Sequence, residues 1–388
     1  MTHLLVIIYL SFVSLGLPDS LLGSAWPTMY KDLSVPLSYA GIISMIIAGG
    51  TIISSLMSDR ITRILGTGKV TLISVAVTAA ALFGFSCSHS FIALCLLAVP
   101  YGLGAGAVDA ALNNYVALNY ESRHMSWLHA MWGLGTVIGP YVIGYALTNG
   151  MSWNVGYRII SVMQAVLVAI LAIGLPLWKK GKNQPSGASE NRPAMSLKSV
   201  FSIRGVKAVC ITFFCYCSIE QTAMLWSASY MTLHCGISAE TAAEFASMFY
   251  IGITVGRFIS GFLSYRLNDR QMIIIGHCLI AIGILLLFIP AGIYATLIGL
   301  ILIGLGCAPI YPSVIHSTPE LFGDGLSGSV IGVQMASAYI GTCLMPPLFG
   351  IIANKISVSL LPVYMLLFLV LMAVMYKYLL SVCGSKKT

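Results

Sequence analysis

Charged residues are scarce in this chain: they make up 8% of its 388 residues, whereas hydrophobic residues make up 58%. About a quarter of the residues in a soluble domain are charged, so this composition excludes a water-soluble globule. The sequence also contains no phosphate-binding glycine loop, metal-ligand cluster or nucleophile–base pair, the patterns that indicate an enzyme or a resident cofactor. We therefore expect a membrane protein that is not an enzyme and holds neither cofactor nor metal.

Cysteine occurs ten times, but its pattern argues against disulfides and metal sites. Most of the cysteines lie inside apolar stretches, and the closest pair, Cys215 and Cys217, does not have metal-ligand spacing. We interpret them as small buried hydrophobic side chains.

Apolar stretches of about 20 residues or more, enough to cross roughly 30 Å of hydrocarbon, fill the chain from Leu4 to Leu380. The first is too long for a signal peptide core and has no small-residue cleavage site. We predict twelve membrane spans, numbered in chain order: Leu4–Pro27, Ala40–Met57, Val70–Ser88, Phe91–Leu118, Trp127–Leu147, Tyr157–Trp178, Val206–Leu233, Ala242–Ser264, Gln271–Pro290, Tyr294–Ile315, Ser327–Ala353 and Leu360–Leu380.

The distribution of Lys and Arg predicts the orientation of the spans. With the amino terminus inside, sixteen of the 20 basic residues are cytoplasmic, Arg257 lies within a span, and only Lys31, Arg158 and Lys355 lie outside. The net charge of +8 is therefore a topology signal, and no nucleic-acid role is suggested. We expect a monomer in the inner (plasma) membrane of a bacterium, with both termini cytoplasmic.

A hydrophilic segment at 179–200 divides the spans into two sets of six. The end of span 2, Ile53–Arg60, parallels the end of span 8, Ile259–Arg266, and prolines occupy corresponding places in spans 5 and 11. We predict an all-α polytopic membrane fold with two pseudo-symmetric six-helix halves, at 1–178 and 206–388, joined by a cytoplasmic linker at 179–205. The second half ends in a short cytoplasmic tail.

Five segments together resemble the major facilitator superfamily over the whole length of the chain. Asp59-Arg60-x-x-Arg63 is similar to its loop Gly-x-x-x-Asp-Arg-x-Gly-Arg, although Ser55 and Thr62 replace both glycines. The other segments resemble the fucose permease and sodium-dependent glucose transporter branch. They are Gly102-Leu103-Gly104-Ala105-Gly106-Ala107-Val108-Asp109 before Asn113-Asn114, Leu128-His129-Ala130-Met131-Trp132-Gly133-Leu134-Gly135, Glu220 ahead of Trp226 and Tyr230, and Gly304-Leu305-Gly306-Cys307-Ala308-Pro309-Ile310-Tyr311-Pro312. The resemblance implies alternating access around a central site and, in many members, proton-driven sugar uptake.

Four charged residues lie well inside spans, and the residues alone make them candidates for function: Asp19, Asp109, Glu220 and Arg257. A charge at the bilayer centre costs roughly 2.5–3.5 kcal/mol on insertion scales, so such groups normally face the bundle interior or a water-filled cavity. Asp19, Glu220 and Asp109 are the candidates for proton coupling. Each of two acids also has an alternative role. Asp19 could hydrogen-bond the backbone that Pro18 leaves without a partner, and Asp109 could make an interhelical hydrogen bond or ion pair that only holds span 4 in place.

Aromatic and amide side chains near these acids are candidates for binding the solute. Trp26 and Tyr30 follow Asp19 at helical spacings, but Glu220 and Trp226 face different sides of a straight helix. The full set is Trp26, Tyr30, Asn113, Asn114, Trp226, Tyr230 and Gln334. Bundle packing and interhelical hydrogen bonding are the alternatives.

Five residues are candidates for ion pairing or gating. Arg257 is most simply a counter-charge to one of the acids, and His129 lies near the cytoplasmic end of span 5. The set is Arg257, His129, Asp59, Arg60 and Arg63. Surface solvation is the alternative for the last three.

The sequence predicts a secondary active transporter with three partners: a small-molecule substrate, a coupling ion and the lipid bilayer. Proton-coupled uptake of a sugar or similar polar solute is favoured over sodium-coupled sugar symport and over proton-driven export of amphipathic compounds. The fold does not decide among these alternatives.

Overall fold

The computed structural model describes residues 2–36, 39–178, 195–237, 239–289 and 293–383. Throughout these residues the secondary structure is helical, and no strand is found among them, which confirms the all-α class. The α-helices are α1 Thr2–Asp19, α2 Leu21–Asp32, α3 Ala40–Leu65, α4 Thr67–Cys87, α5 Phe91–Asn119, α6 Ser122–Thr148, α7 Trp153–Trp178, α8 Leu197–Ser202, α9 Val206–Leu233, α10 Ala239–Leu263, α11 Asp269–Phe288, α12 Ile293–His316, α13 Thr318–Phe322, α14 Asp324–Lys355 and α15 Leu361–Cys383.

Most of these helices are long and apolar enough to cross a membrane. Within the described ranges eleven helical segments qualify, the first being α1 and α2 together over His3–Asp32. The eighth predicted span, α10, contributes the shorter apolar helix Met248–Leu263. The chain is therefore an integral membrane protein with eleven to twelve apolar helices. Of the predicted linker, 179–194 lies outside the described residues, and the remainder contains α8.

The chain forms two compact units. The first comprises Met1–Asn119 and Leu128–Ala194, and the second comprises Tyr120–Trp127 and Met195–Thr388. The short segment Tyr120–Trp127, between α5 and the body of α6, groups with the second unit.

Glycines set the helix packing in the first unit. A side chain at Gly16 would overlap the carbonyl oxygen of Trp132, and one at Gly135 would overlap that of Val13, so α1 and α6 touch backbone to backbone. Glycines of α5 make the same kind of contact with α3, where a side chain at Gly102 would overlap the carbonyl oxygen of Ile47. Small residues allow such approach in lipid, where hydrophobic exclusion from water drives little association.

The second unit uses the same device. A side chain at Gly341 of α14 would lie 2.6 Å from the Phe214 carbonyl oxygen of α9. Between α11 and α12, Gly283 and Gly299 face one another's carbonyl oxygens. Close backbone contacts therefore fix the rotation of α9, the helix that carries Glu220.

The first membrane span is interrupted in its middle. Helix α1 ends at Asp19, α2 begins at Leu21, and Ser20 lies between them. Pro18 has no N–H to offer the carbonyl four residues earlier, that of Ser14. Gln164 of α7 satisfies this carbonyl through its side-chain amide at 2.8 Å. The carbonyl that Pro18 leaves without a donor is therefore hydrogen-bonded by Gln164. Asp19 lies at the interruption itself.

Candidate functional site

Asp19 lies in the first unit, where two other helices hold its carboxylate. The Tyr101 hydroxyl of α5 donates to Oδ1 at 3.2 Å, and the Trp132 indole of α6 donates to Oδ2 at 2.8 Å. Asp19 is nevertheless an exposed residue. An anion exposed to hydrocarbon would be costly, so we infer that this group faces water.

The geometry around Asp19 follows from the packing of α1 on α6. Gly16, Gly135 and Gly139 let the two backbones touch, and this contact brings the indole of Trp132 beside Asp19. The two donors orient the carboxylate, whose remaining lone pairs can accept hydrogen bonds or a proton. The arrangement can bind a hydroxyl-bearing solute, exchange a proton, or do both.

Asp109 belongs to a buried row of hydrogen-bonded side chains in the same unit. Asn113 donates to its Oδ1 at 2.9 Å, and the Asn113 side-chain oxygen lies 3.0 Å from Nε2 of His129. Because the Asn113 oxygen can only accept, Nε2 carries the proton in this contact. The structure therefore joins three predicted site residues, one from the coupling, one from the binding and one from the gating group.

Glu220 and Arg257 form an ion pair inside the second unit. Arg257 Nη2 lies 3.3 Å from Glu220 Oε1, and the two side chains are only 4% and 7% exposed. A buried pair of this kind holds both charges in place, because removing either partner leaves the other uncompensated. The structure thus supplies Glu220 with the counter-charge that the sequence placed in α10.

The aromatic binding candidates are mostly engaged with neighbouring helices. Trp26 is buried in the core of the first unit, whereas Tyr30 is half-buried beside Lys31. In the second unit the Trp226 indole donates to the Pro346 carbonyl at 2.9 Å, and the Tyr230 hydroxyl donates to that of Leu287 at 3.0 Å. Helix α9 is continuous, so Trp226 contacts α14 while Glu220 contacts α10.

Two amide candidates occupy different environments. Gln334 is fully buried, and its amide and the Thr318 hydroxyl exchange hydrogen bonds of 3.0 and 3.2 Å. Asn114 is half-buried on α5, next to the fully buried Asn113.

The predicted gating residues of α3 lie at its carboxyl end. Arg63 Nε is 3.1 Å from Asp59 Oδ1, one helical turn away, and Arg60 is exposed. The side chains of this pair are partly buried, 21% exposed for Arg63 and 13% for Asp59, so the pair links two turns at the end of α3.

A second polar cluster, absent from the predictions, fastens the segment Tyr120–Trp127 within the second unit. Asp269 accepts from the Ser122 hydroxyl at 2.5 Å and contacts His316 Nδ1 at 2.6 Å. The other ring nitrogen of His316 lies 3.0 Å from the Tyr120 carbonyl oxygen. Arg123 lies over the ring of Tyr265 at 4.6 Å.

Sequence reasoning missed Tyr101, Trp132 and Gln164 as partners of the first span. Trp132 stood inside a quoted motif, and its signal was the pair Gly135 and Gly139, whose spacing of four marks a helix contact face. Tyr101 and Gln164 are single polar residues in apolar helices, and no spacing tells which way such a side chain points.

The chain belongs to the Major Facilitator Superfamily, which it matches over residues 8–231 and 209–383. It is 24% identical to the glucose/mannose transporter GlcP of Bacillus subtilis, covering 91% of this chain and 88% of that one. It is 21% identical to the cis,cis-muconate transport protein of Acinetobacter baylyi, over 91% and 87%. The crystal structure of FucP, described as the E. coli fucose:proton symporter, aligns with a TM-score of 0.75 and 18% identity over 97% and 98% of the two chains. At these identities the likeness shows the fold.

Proposed function

We propose that this transporter takes up a neutral, hydroxyl-rich solute, such as a sugar, together with protons. The observation that carries the proposal is the exposed Asp19 carboxylate at the break of the first span, held by Tyr101 and Trp132. Discontinuous helices mark substrate and ion sites in many transporters. FucP, a protein of this fold, is described as a fucose:proton symporter.

The charges at the two candidate sites favour a neutral solute. Asp19 is an acceptor that attracts hydroxyl donors and repels carboxylates. Arg257, which would attract an anion, is only 3% exposed and is already paired with Glu220. The apolar face of a sugar ring can lie on an aromatic ring such as that of Trp132.

Proton coupling needs one group whose charge changes during transport. Asp19 can serve because it is exposed and its two donors leave lone pairs free. A proton moving inward through 100 mV yields roughly 2.3 kcal/mol, enough for about fiftyfold accumulation of solute. The role proposed for Glu220 and Arg257 is to switch partners during the cycle, with Asp109 as a further proton site.

The proposed setting is the bacterial inner membrane, with both termini cytoplasmic and the protein as a monomer. The concentration of Lys and Arg in the connections assigned to the cytoplasm supports this topology.

Uptake into proteoliposomes under an imposed gradient tests the proposal. A panel of neutral sugars, sugar acids and amphipathic compounds is offered under proton, sodium or no gradient, to the wild type, Asp19→Asn and Glu220→Gln. Asp32→Asn is a matched control, since Asp32 lies on the same span and accepts from a Trp153 indole at 2.9 Å. We expect proton-driven sugar accumulation in the wild type and the control, with at least tenfold loss in Asp19→Asn.

Three outcomes would contradict the proposal. Accumulation driven by sodium alone would identify a sodium symporter, and proton-driven exclusion of amphipathic compounds would identify an exporter. Undiminished proton-driven accumulation by both Asp19→Asn and Glu220→Gln would remove the carboxylates from coupling.

A further inference from the structure

A small cavity lies beside Pro18, at the interruption of the first span. Its volume is about 10 Å³, and its lining includes Pro18 and the polar residues Ser14, Thr78, Tyr101 and Gln164. A site needs roughly 10–15 Å³ and two to four polar partners to hold one water molecule. The cavity therefore has the size and chemistry for one water and is too small for a solute.

Polar groups converge on this cavity because Pro18 breaks the helix. The Ser14 carbonyl freed by Pro18 accepts from the Gln164 amide at 2.8 Å. The Gln164 side-chain oxygen lies 3.2 Å from the Thr78 hydroxyl, which also lies 3.0 Å from the Val75 carbonyl oxygen. Each side chain of this group is 5% exposed or less. The Gln164 oxygen retains a second lone pair, so a bound water can donate to it.

Tyr101 connects the cavity to the transport site. It is 4% exposed, and its hydroxyl donates to Asp19, which follows the cavity residue Pro18. A phenol has one proton, so Tyr101 donates to either Asp19 or another acceptor at a given time. When Asp19 gains a proton or binds a solute hydroxyl, its hydrogen bond from the Tyr101 hydroxyl weakens. The buried Tyr101 hydroxyl then needs another acceptor, because a buried donor without a partner costs free energy.

We propose that this cavity binds one structural water, which accepts the Tyr101 hydroxyl whenever Asp19 is neutral. The water makes neutralisation of Asp19 easier, because the phenol keeps a partner in both charge states. Tyr101 is thus a positioning residue, and Gln164 and Thr78 hold the water. The part that concerns neutralisation rests on the proposed role of Asp19, whereas the water site itself does not.

The water site is tested first by direct observation. A map of the wild-type protein in nanodiscs, at a resolution that shows buried waters elsewhere, is expected to contain one water peak among Ser14, Tyr101 and Gln164. A cavity without density, or a sodium ion in its place, would overturn the inference. This result does not depend on any transport measurement.

The consequence for transport is tested by filling the cavity. Ala105→Val places two methyl groups at its wall, and Ala93→Val on the same helix is the matched control, also half-buried but outside the lining. We expect Ala105→Val to lose the water peak. We also expect its uptake to need about a tenfold higher proton concentration for half-maximal rate, which lowers the pH of half-maximal uptake by about one unit. Thr78→Val, compared with Thr71→Val, removes a lining hydroxyl without changing volume and is expected to shift the profile in the same direction.

The titratable groups packed around Asp19 and Tyr101 are few. Tyr157 of α7 interacts electrostatically with Tyr101, while the indole of Trp132 does not titrate. Phenols ordinarily titrate near pH 10, far above the transport range, so neither phenol accounts for a shift between pH 5 and 8. Identical profiles for Ala105→Val and Ala93→Val, with the water lost only in the former, would refute the role in neutralisation. A wild type without pH dependence would instead refute the proposed function.

Discussion

Breaking the buried ion pair of the second unit should destabilise the protein strongly, and removing both charges should largely restore it. At 3.3 Å between Arg257 Nη2 and Glu220 Oε1, the Coulomb attraction is about 5 kcal/mol at an effective dielectric of 20. Arg257→Met leaves Glu220 charged and unpaired in a buried site. Such losses cost about 3–5 kcal/mol, so a clear fall in melting temperature is expected.

The double variant Arg257→Met with Glu220→Gln provides the matched comparison. Replacing a buried pair by neutral groups of similar volume is often close to neutral in stability, so the double variant should recover most of the lost melting temperature. Thermal unfolding in detergent, followed by intrinsic fluorescence, gives the four values of the cycle. The less buried pair of Asp59 and Arg63 serves as control, and Arg63→Met should cost less than Arg257→Met. If the two effects at Glu220 and Arg257 simply add, the pair is not coupled and the reasoning fails.

Three further predictions follow from single contacts. Gly16→Ala should push α1 from α6, lowering both the melting temperature and uptake, whereas Gly23→Ala, which has no neighbour within 4 Å of its new methyl group, should leave both unchanged. Trp132→Phe keeps an aromatic ring but removes the N–H that donates to Asp19. Because hydrogen bonds to charged groups contribute about 1.5–3 kcal/mol, solute affinity should fall at least tenfold in equilibrium binding. Unchanged affinity would show that this hydrogen bond plays no part in solute binding. Asp269→Asn weakens the cluster that fastens the Tyr120–Trp127 segment and should lower the free energy of unfolding by about 1–3 kcal/mol, with faster proteolysis of that segment; equal protection would show that the cluster is dispensable.

Hydropathy was sufficient to predict the helical membrane fold, because lipid allows few other ways to satisfy the backbone. The carbonyl left without a donor by Pro18 was also readable, since proline removes a donor wherever it lies in a helix. The interruption itself was not, because Pro100 and Pro140 lie inside continuous helices. The two readable features depend on local chemistry that one segment carries by itself.

The partners of the candidate site residues depended on helix rotation, which spacing alone does not fix. Arg257 was expected to pair with one of the acids, and the structure pairs it with Glu220 and bonds Asp109 to Asn113, one turn away on the same helix. Trp226 is tied to the backbone of α14 through its indole. Tertiary packing decides which neighbouring helix an aromatic side chain contacts. It therefore also decides whether that side chain lines a binding site or packs between helices.

The most direct test of the central claim is the proton flux that accompanies solute entry. In lightly buffered proteoliposomes, adding a transported sugar to the wild type should alkalinise the outside as solute and protons enter together. Asp19→Asn should abolish this alkalinisation, while Asp32→Asn, which neutralises another carboxylate that accepts from an indole on the same span, should retain it. Alkalinisation of wild-type size in Asp19→Asn would contradict the assignment of Asp19 as the coupling group.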